Sequence, residues 1–279
     1  MLDLFERYTG RVMRVFAATA LLLGIMALTL PAQSGAQDAP SLKIVSPAAG
    51  ATVTTDDIEV TVEVSNFTLD CQAIGAPPVA GHGLIHALLD GSTIAALTGL
   101  YCQDTFTISG EGVTAGEHTL TVVLSENNHV DMMETAQQVK FDFQPAKAQP
   151  LPAANDTGTP EITLVSPTDG ATVDPVFKVE LTATNFTPDA GLEGKQNVPG
   201  YGHYHVIVVD TTPAASPEGT ATAAPAGIPG LIAMPGENSF QIDLTGWGPG
   251  EHTIMIAPAQ NDHTPFEGAK AVEFTVTVK

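Results

Sequence analysis

The chain has 279 residues, with 31 acidic against 10 basic side chains, 21 prolines, 26 glycines and 6% aromatics. That length holds one large domain or two small ones. A formal charge of −21 repels a polyanionic duplex, which excludes nucleic acid as a partner, while the same field concentrates cations and keeps the chain soluble.

Arg11 and Arg14 precede an apolar run from Val15 to Leu30, and the small residues "AQSGA" follow. This is the pattern of a secretory signal peptide over residues 1–36, cleaved after Ala36. The run is short of the roughly 20 apolar residues that span a bilayer, so no stable membrane insertion is expected after cleavage. Met13 is an alternative start, since "MRVFAATALLLGIMALTL" is already complete as a signal. Cleavage leaves a charge of about −22 and implies a secreted, periplasmic or cell-envelope location. In that oxidising compartment Cys71 and Cys102 most simply form one disulfide. The rival reading, a pair of thiolate metal ligands, lacks a ligand-spaced cluster.

The remainder is written twice. "IVSPAAGATV" at Ile44–Val53 recurs as "LVSPTDGATV" at Leu164–Val173, and "AGEHTLTVVLSENNHV" at Ala115–Val130 recurs as "PGEHTIMIAPAQNDHT" at Pro249–Thr264. The repeats are 41–144 and 160–279, joined by the Pro/Ala-rich spacer 145–159. In the first, Ile58, Val60, Val62 and Val64 alternate with Glu59, Thr61 and Glu63, the period of a half-buried strand. Leu120, Val122 and Leu124 mark another strand, and "QVKFDF" a last one. The second copy answers with Phe177, Val179, Leu181 and Ala183, then Ile254 and Ile256, then "VEFTVTVK". Between them lies an insertion, "TTPAASPEGTATAAPAGIPG", of flexible, solvated composition. Short strands with Gly/Pro/Asp turns and no helical period predict an all-β protein of two tandem antiparallel sandwiches.

All eight histidines fall in the repeats, four in each. His203 and His205 alternate by two, so both point to one face of a strand, and His263 with Asp262 comes from a neighbouring loop. His82, His86 and His129 form the corresponding set in the first copy, with Asp131 nearby. Aligning Gly83 with Gly202 puts His86 on His205 and Leu84 on His203. Imidazole with carboxylate suits copper or zinc; the alternative is that these side chains bond backbone at loop ends. His118 and His252 enter a strand after Gly-Glu and have the parity of inward residues, so they read as structural, in the manner of the tyrosine corner of such sandwiches. Glu117 and Glu251 are general-base candidates by adjacency alone, and no "GxSxG" elbow is present, so no enzyme is expected.

The "SPxxGATV" opening and the "PGEHT" strand entry resemble those of bacterial immunoglobulin-like domains, which implies that the two sandwiches are tandem immunoglobulin-like antiparallel β-sandwich domains. "YGHYHVIVVD" with "NDHTPF" also resembles secreted bacterial domains of unknown function that pair a "GHxH" strand with a late "NxHxP" segment. The second copy is similar to periplasmic copper-resistance carriers, which implies an N-terminal histidine ligand; the start near "QDAPS" has none. The expected function is a secreted, non-catalytic binding protein whose histidine clusters take copper or zinc. The alternative is a structural or adhesive envelope module, with an envelope protein for a partner and no metal.

Overall fold

The computed structural model describes residues 38–155, 158–209 and 228–279. The predicted signal peptide and most of the predicted insertion lie outside the described residues. Within the first repeat the strands are β1 Ser41–Ser46, β2 Thr52–Val53, β3 Ile58–Ser65, β4 Thr68–Leu69, β5 His82–Leu89, β6 Leu97–Tyr101, β7 Thr105–Ile108, β8 Gly116–Glu126 and β9 Gln137–Phe143. The second carries β10 Glu161–Ser166, β11 Ala171–Val173, β12 Val176–Thr184, β13 Thr187–Pro188, β14 Tyr201–Val208, β15 Leu231–Ala233, β16 Ser239–Asp243, β17 Gly250–Ala259 and β18 Val272–Val278.

Each repeat forms two sheets. A three-stranded sheet, β1-β3-β7, faces a six-stranded one, β2-β9-β8-β5-β4 with β6 also on β5; the second copy repeats this as β10-β12-β16 and β11-β18-β17-β14-β13 with β15 on β14. Among the described residues every ladder joins strands of one repeat, so the architecture is a tandem pair of immunoglobulin-like β-sandwiches. Residues Ala39–Lys279 nevertheless form one compact unit.

Alternation along the strands decides which side chains fill each core. On β5, Ile85, Ala87 and Leu89 join the first sandwich's core with Val60, Leu120 and Phe141. The intervening Leu84, His86 and Leu88 are also buried, so β5 is covered on both faces. On β14 the core takes Tyr204, Val206 and Val208, leaving His203, His205 and Ile207 buried on the opposite face. The histidines therefore lie on the outer faces of the larger sheets. Alternation puts His203 and His205 on one strand face but cannot tell that this second face is also covered.

Cys71 and Cys102 are joined, with their Cα atoms 5.4 Å apart, tying the 3-10 turn Cys71–Ala73 to the end of β6. Their counterparts are Ala190 and Gly236, where a Cβ on the glycine would stand 2.7 Å from that of the alanine; close packing takes the place of the bond. The disulfide spans 31 residues, so a Cys71→Ser/Cys102→Ser variant should lose about 3–4 kcal/mol of stability, measurable by urea unfolding.

The repeats meet through reciprocal contacts, the signature of an interface with two-fold character. Gly75 and Gly194 occupy matched positions at φ +76 and +72; a Cβ on Gly75 would lie 2.6 Å from the Leu231 carbonyl oxygen, and one on Gly194 would lie 2.6 Å from that of Leu97. Both β6 and β15 thus present backbone to the other repeat. Alanine at either position meets both the left-handed penalty and a backbone oxygen, so Gly75→Ala and Gly194→Ala should each cost more than about 1–2 kcal/mol in a thermal or urea melt.

Candidate metal centre

The loops after β8 and β17 carry the second half of each histidine cluster, and they are built alike. His129 N–H bonds the Glu126 carbonyl, and His263 N–H bonds that of Gln260, each at 2.9 Å. The side-chain oxygens of Asn128 and Asp262 accept from Val130 N–H and Thr264 N–H at 3.2 and 3.0 Å. Both histidines sit at φ 66, a left-handed conformation that His adopts more readily than most residues. That backbone turn swings each ring onto the outer face of the large sheet.

Each ring then reaches across to the other repeat. His129 Nε2 is 2.7 Å from the Leu231 carbonyl oxygen on β15, and His263 Nε2 is 2.8 Å from that of Leu97 on β6. A carbonyl only accepts, so both Nε2 atoms carry the proton, and in the neutral rings both Nδ1 atoms present a lone pair. Neither carbonyl could be found from the sequence, because a backbone acceptor leaves no residue signature.

In the second repeat the His263 lone pair points at two more imidazoles. His203 Nε2 lies 3.0 Å from His263 Nδ1 and 3.1 Å from His205 Nε2; the third side, His205 Nε2 to His263 Nδ1, is 3.4 Å. All three residues are buried, and they are the group among the described residues with metal-ligand spacing. Each corner directs either an N–H or a lone pair into the triangle. With three corners and two kinds, at least one side must join two of a kind. Hydrogen bonding among the rings alone cannot satisfy this arrangement, whereas a cation facing three lone pairs does.

One side of the triangle has the length a tetrahedral ion imposes, and the other two are about 0.3–0.4 Å shorter. Three imidazoles bound tetrahedrally at about 2.0–2.1 Å hold their nitrogens about 3.4 Å apart. Three in-plane ligands of a square site would need one pair about 4 Å apart, which no side of this triangle approaches. Metal-bound histidines commonly donate their other N–H to backbone or carboxylate; His263 does so to the Leu97 carbonyl, while His203 Nδ1 is buried without a hydrogen-bond partner among the described residues. Burial, reinforced by the neighbouring rings, pushes His203 well below its ordinary value and His205 down to about 3. Burial also lowers His263, against the pull of the Leu97 carbonyl and Asp262. The rings are thus held neutral, the form a metal needs.

Asp262 is not brought into this group. Its Oδ1 accepts from the backbone N–H and hydroxyl of Thr264, the turn-forming role that Asn128 plays in the first copy.

The first repeat arranges its set differently. His86 Nδ1 is 2.7 Å from Asp131 Oδ1, and its Nε2 is 3.2 Å from His129 Nδ1. Here the contacts form an open chain, Asp131–His86–His129–Leu231 carbonyl, and because Asp131 and His129 Nδ1 both accept, a donor faces an acceptor at every step once His86 and Asp131 share one proton beyond that of the neutral ring. His82 stands apart at the start of β5, half-exposed with Nδ1 3.6 Å from Asp70, because four strand residues carry it about 13 Å from His86.

His118 and His252 lie away from both sets. His118 bonds Asp90 at 2.6 Å and the Thr114 carbonyl at 2.7 Å; His252 bonds the Gly248 carbonyl, in the matched position, at 3.0 Å. Both rings therefore tie down the turn entering their strand. Glu117 pairs with Lys140, on the exposed surface. No helix among the described residues is long and apolar enough to cross a membrane.

Comparison of the sequence with protein-family models and with curated proteins gives no match. Among solved structures the chain is similar to the fibronectin(III)-like modules of Clostridium thermocellum CbhA, at 14% identity over 85% of this chain and 94% of that one, with a TM-score of 0.25. It is also similar to the D00-D0 domain of intimin, at 14% identity over 85% and 99% and a TM-score of 0.23. The BSP domain of a biofilm-associated protein is 12% identical over 86% of this chain and 29% of that one, with a TM-score of 0.23. At these TM-scores the assignment of two sandwiches rests on the strand pairing itself.

Proposed function

We propose that this is an exported, non-catalytic metal-binding protein, organised as sandwiches 41–144 and 160–279 behind a signal peptide, whose His203, His205 and His263 hold a transition-metal ion of the zinc or copper class. The observation that carries the reading is the triangle of ring nitrogens, which hydrogen bonds alone leave with one mismatched side. Three neutral nitrogens without thiolate suit zinc(II), or copper outside a square geometry, rather than calcium or magnesium. Buried ligands hold an ion rather than present it to a substrate, which supports binding over catalysis. The likeness to copper-resistance carriers extends to the class of ion and not to an N-terminal ligand.

A structural reading also has an observation behind it. His129 and His263 each bond the other repeat, so some of the histidine pattern serves the join between sandwiches, as an adhesive or structural envelope module with an envelope-protein partner would use it.

Titrating chelator-stripped protein with zinc(II) and copper(II) in a calorimeter separates the two. Saturable uptake with micromolar or tighter affinity, together with a melting temperature that rises on loading, supports the metal reading. Absence of uptake with an unchanged melt leaves the structural one.

A further inference from the structure

The two clusters are matched in register yet differ at two positions. Leu84 opposes Ser125 as His203 opposes Ala259, so Leu84 stands where the triad has its third imidazole. Asp131 bridges to Ser125 as Pro265 does to Ala259, and Asp131 supplies a carboxylate where the second repeat has none. The first substitution removes a ligand. The second turns His86 Nδ1 onto a buried carboxylate and leaves a chain in which each polar contact is paired once His86 and Asp131 share one further proton. A buried group that is fully partnered gains little from an ion and loses those partners to it.

We propose that the ion site exists once per chain, and that positions 84 and 131 are what close the first repeat to an ion. This rests on the metal reading of His203, His205 and His263. In it, the first repeat's His86, His129 and Asp131 act as an ion-free counterpart: Asp131 and His86 replace the ion with a proton-bridged contact, and His129 keeps the bond to Leu231. One duplicated cluster has thus become one binding site and one purely structural lock, which leaves the chain with monovalent rather than paired ion capacity.

The test counts zinc per folded chain by native mass spectrometry, after chelator treatment and buffer exchange, in the wild-type chain and in Leu84→His/Asp131→Pro, which writes the second repeat's residues into the first. The expected counts are one and two. Two ions in the wild-type chain, one of them lost in His86→Gln, overturn this proposal and leave the triad reading intact. No bound ion in the wild-type chain overturns both. A double variant that keeps a wild-type circular dichroism spectrum and still binds one ion shows that these two positions are not the block. If that variant fails to fold, the wild-type count and His86→Gln still decide between one site and two.

Discussion

In His203→Leu, zinc affinity should fall by more than about 100-fold, beyond the loss usually seen when only an outer partner of a metal-bound histidine is removed, while the fold is kept. The second half of that expectation comes from the molecule itself. Leu84 occupies the same register position in the first repeat and is fully buried there, so this backbone already accommodates leucine at that point of the strand. The first half follows from geometry, because two imidazoles cannot enclose an ion that three were spaced to hold. Isothermal titration of the stripped variant, beside its circular dichroism spectrum, measures both parts. Unaltered affinity would move the site elsewhere, most simply to the acidic surface.

The second large effect is acid sensitivity of the ion-free chain. Burial, helped by His86, holds His129 down to about 4, and burial with His263 holds His205 to about 3, whereas both return to about 6.5 on unfolding. The unfolded chain therefore binds more protons below pH 6.5, and stability is full above that value and lost as pH falls. His129 alone accounts for about 3 kcal/mol between pH 6.5 and 4, and His205 extends the loss toward pH 3. Glu193 runs the other way. Burial raises its carboxyl well above the ordinary value, so its share favours the fold below pH 4.5 and is withdrawn as pH rises. The matched residue in the first repeat is Ile74. Glu193→Gln should accordingly stabilise the chain at neutral pH and change it little near pH 4. Urea midpoints at intervals from pH 8 to 4, with and without zinc, check both signs; bound zinc should steepen the acid loss, since protons compete for its ligands.

Much of this was readable from residue order alone. The repeats, the alternation on β3 and β12 and the shared face of His203 and His205 follow from local pattern, and the pairing of Cys71 with Cys102 from there being two cysteines in a chain read as exported. Aligning the copies also placed Leu84 against His203. What local pattern could not reach is set by tertiary contact. Asp262 resembles a ligand because it adjoins His263, but its side chain closes its own turn, and Asn128 does the same where no acid is present. His82 is one strand-face step too many from His86 to join it. The covered outer face of β5 and β14 depends on the other repeat, and the Leu97 and Leu231 carbonyls that orient two rings are invisible in any motif. His118 and His252 each bond a carbonyl four residues earlier, in the turn that enters their strand, whereas the Asp90 that also meets His118 lies 28 residues away.

The claim at the centre is that three imidazoles of one repeat hold the ion. X-ray absorption at the zinc edge of the loaded, buffer-exchanged chain tests it most directly. The account predicts a first shell dominated by nitrogen at about 2.0–2.1 Å with the outer scattering of three imidazole rings, lost in His203→Leu. A shell of oxygens without imidazole scattering, or one identical in the variant, would contradict it and assign the ion to surface carboxylates.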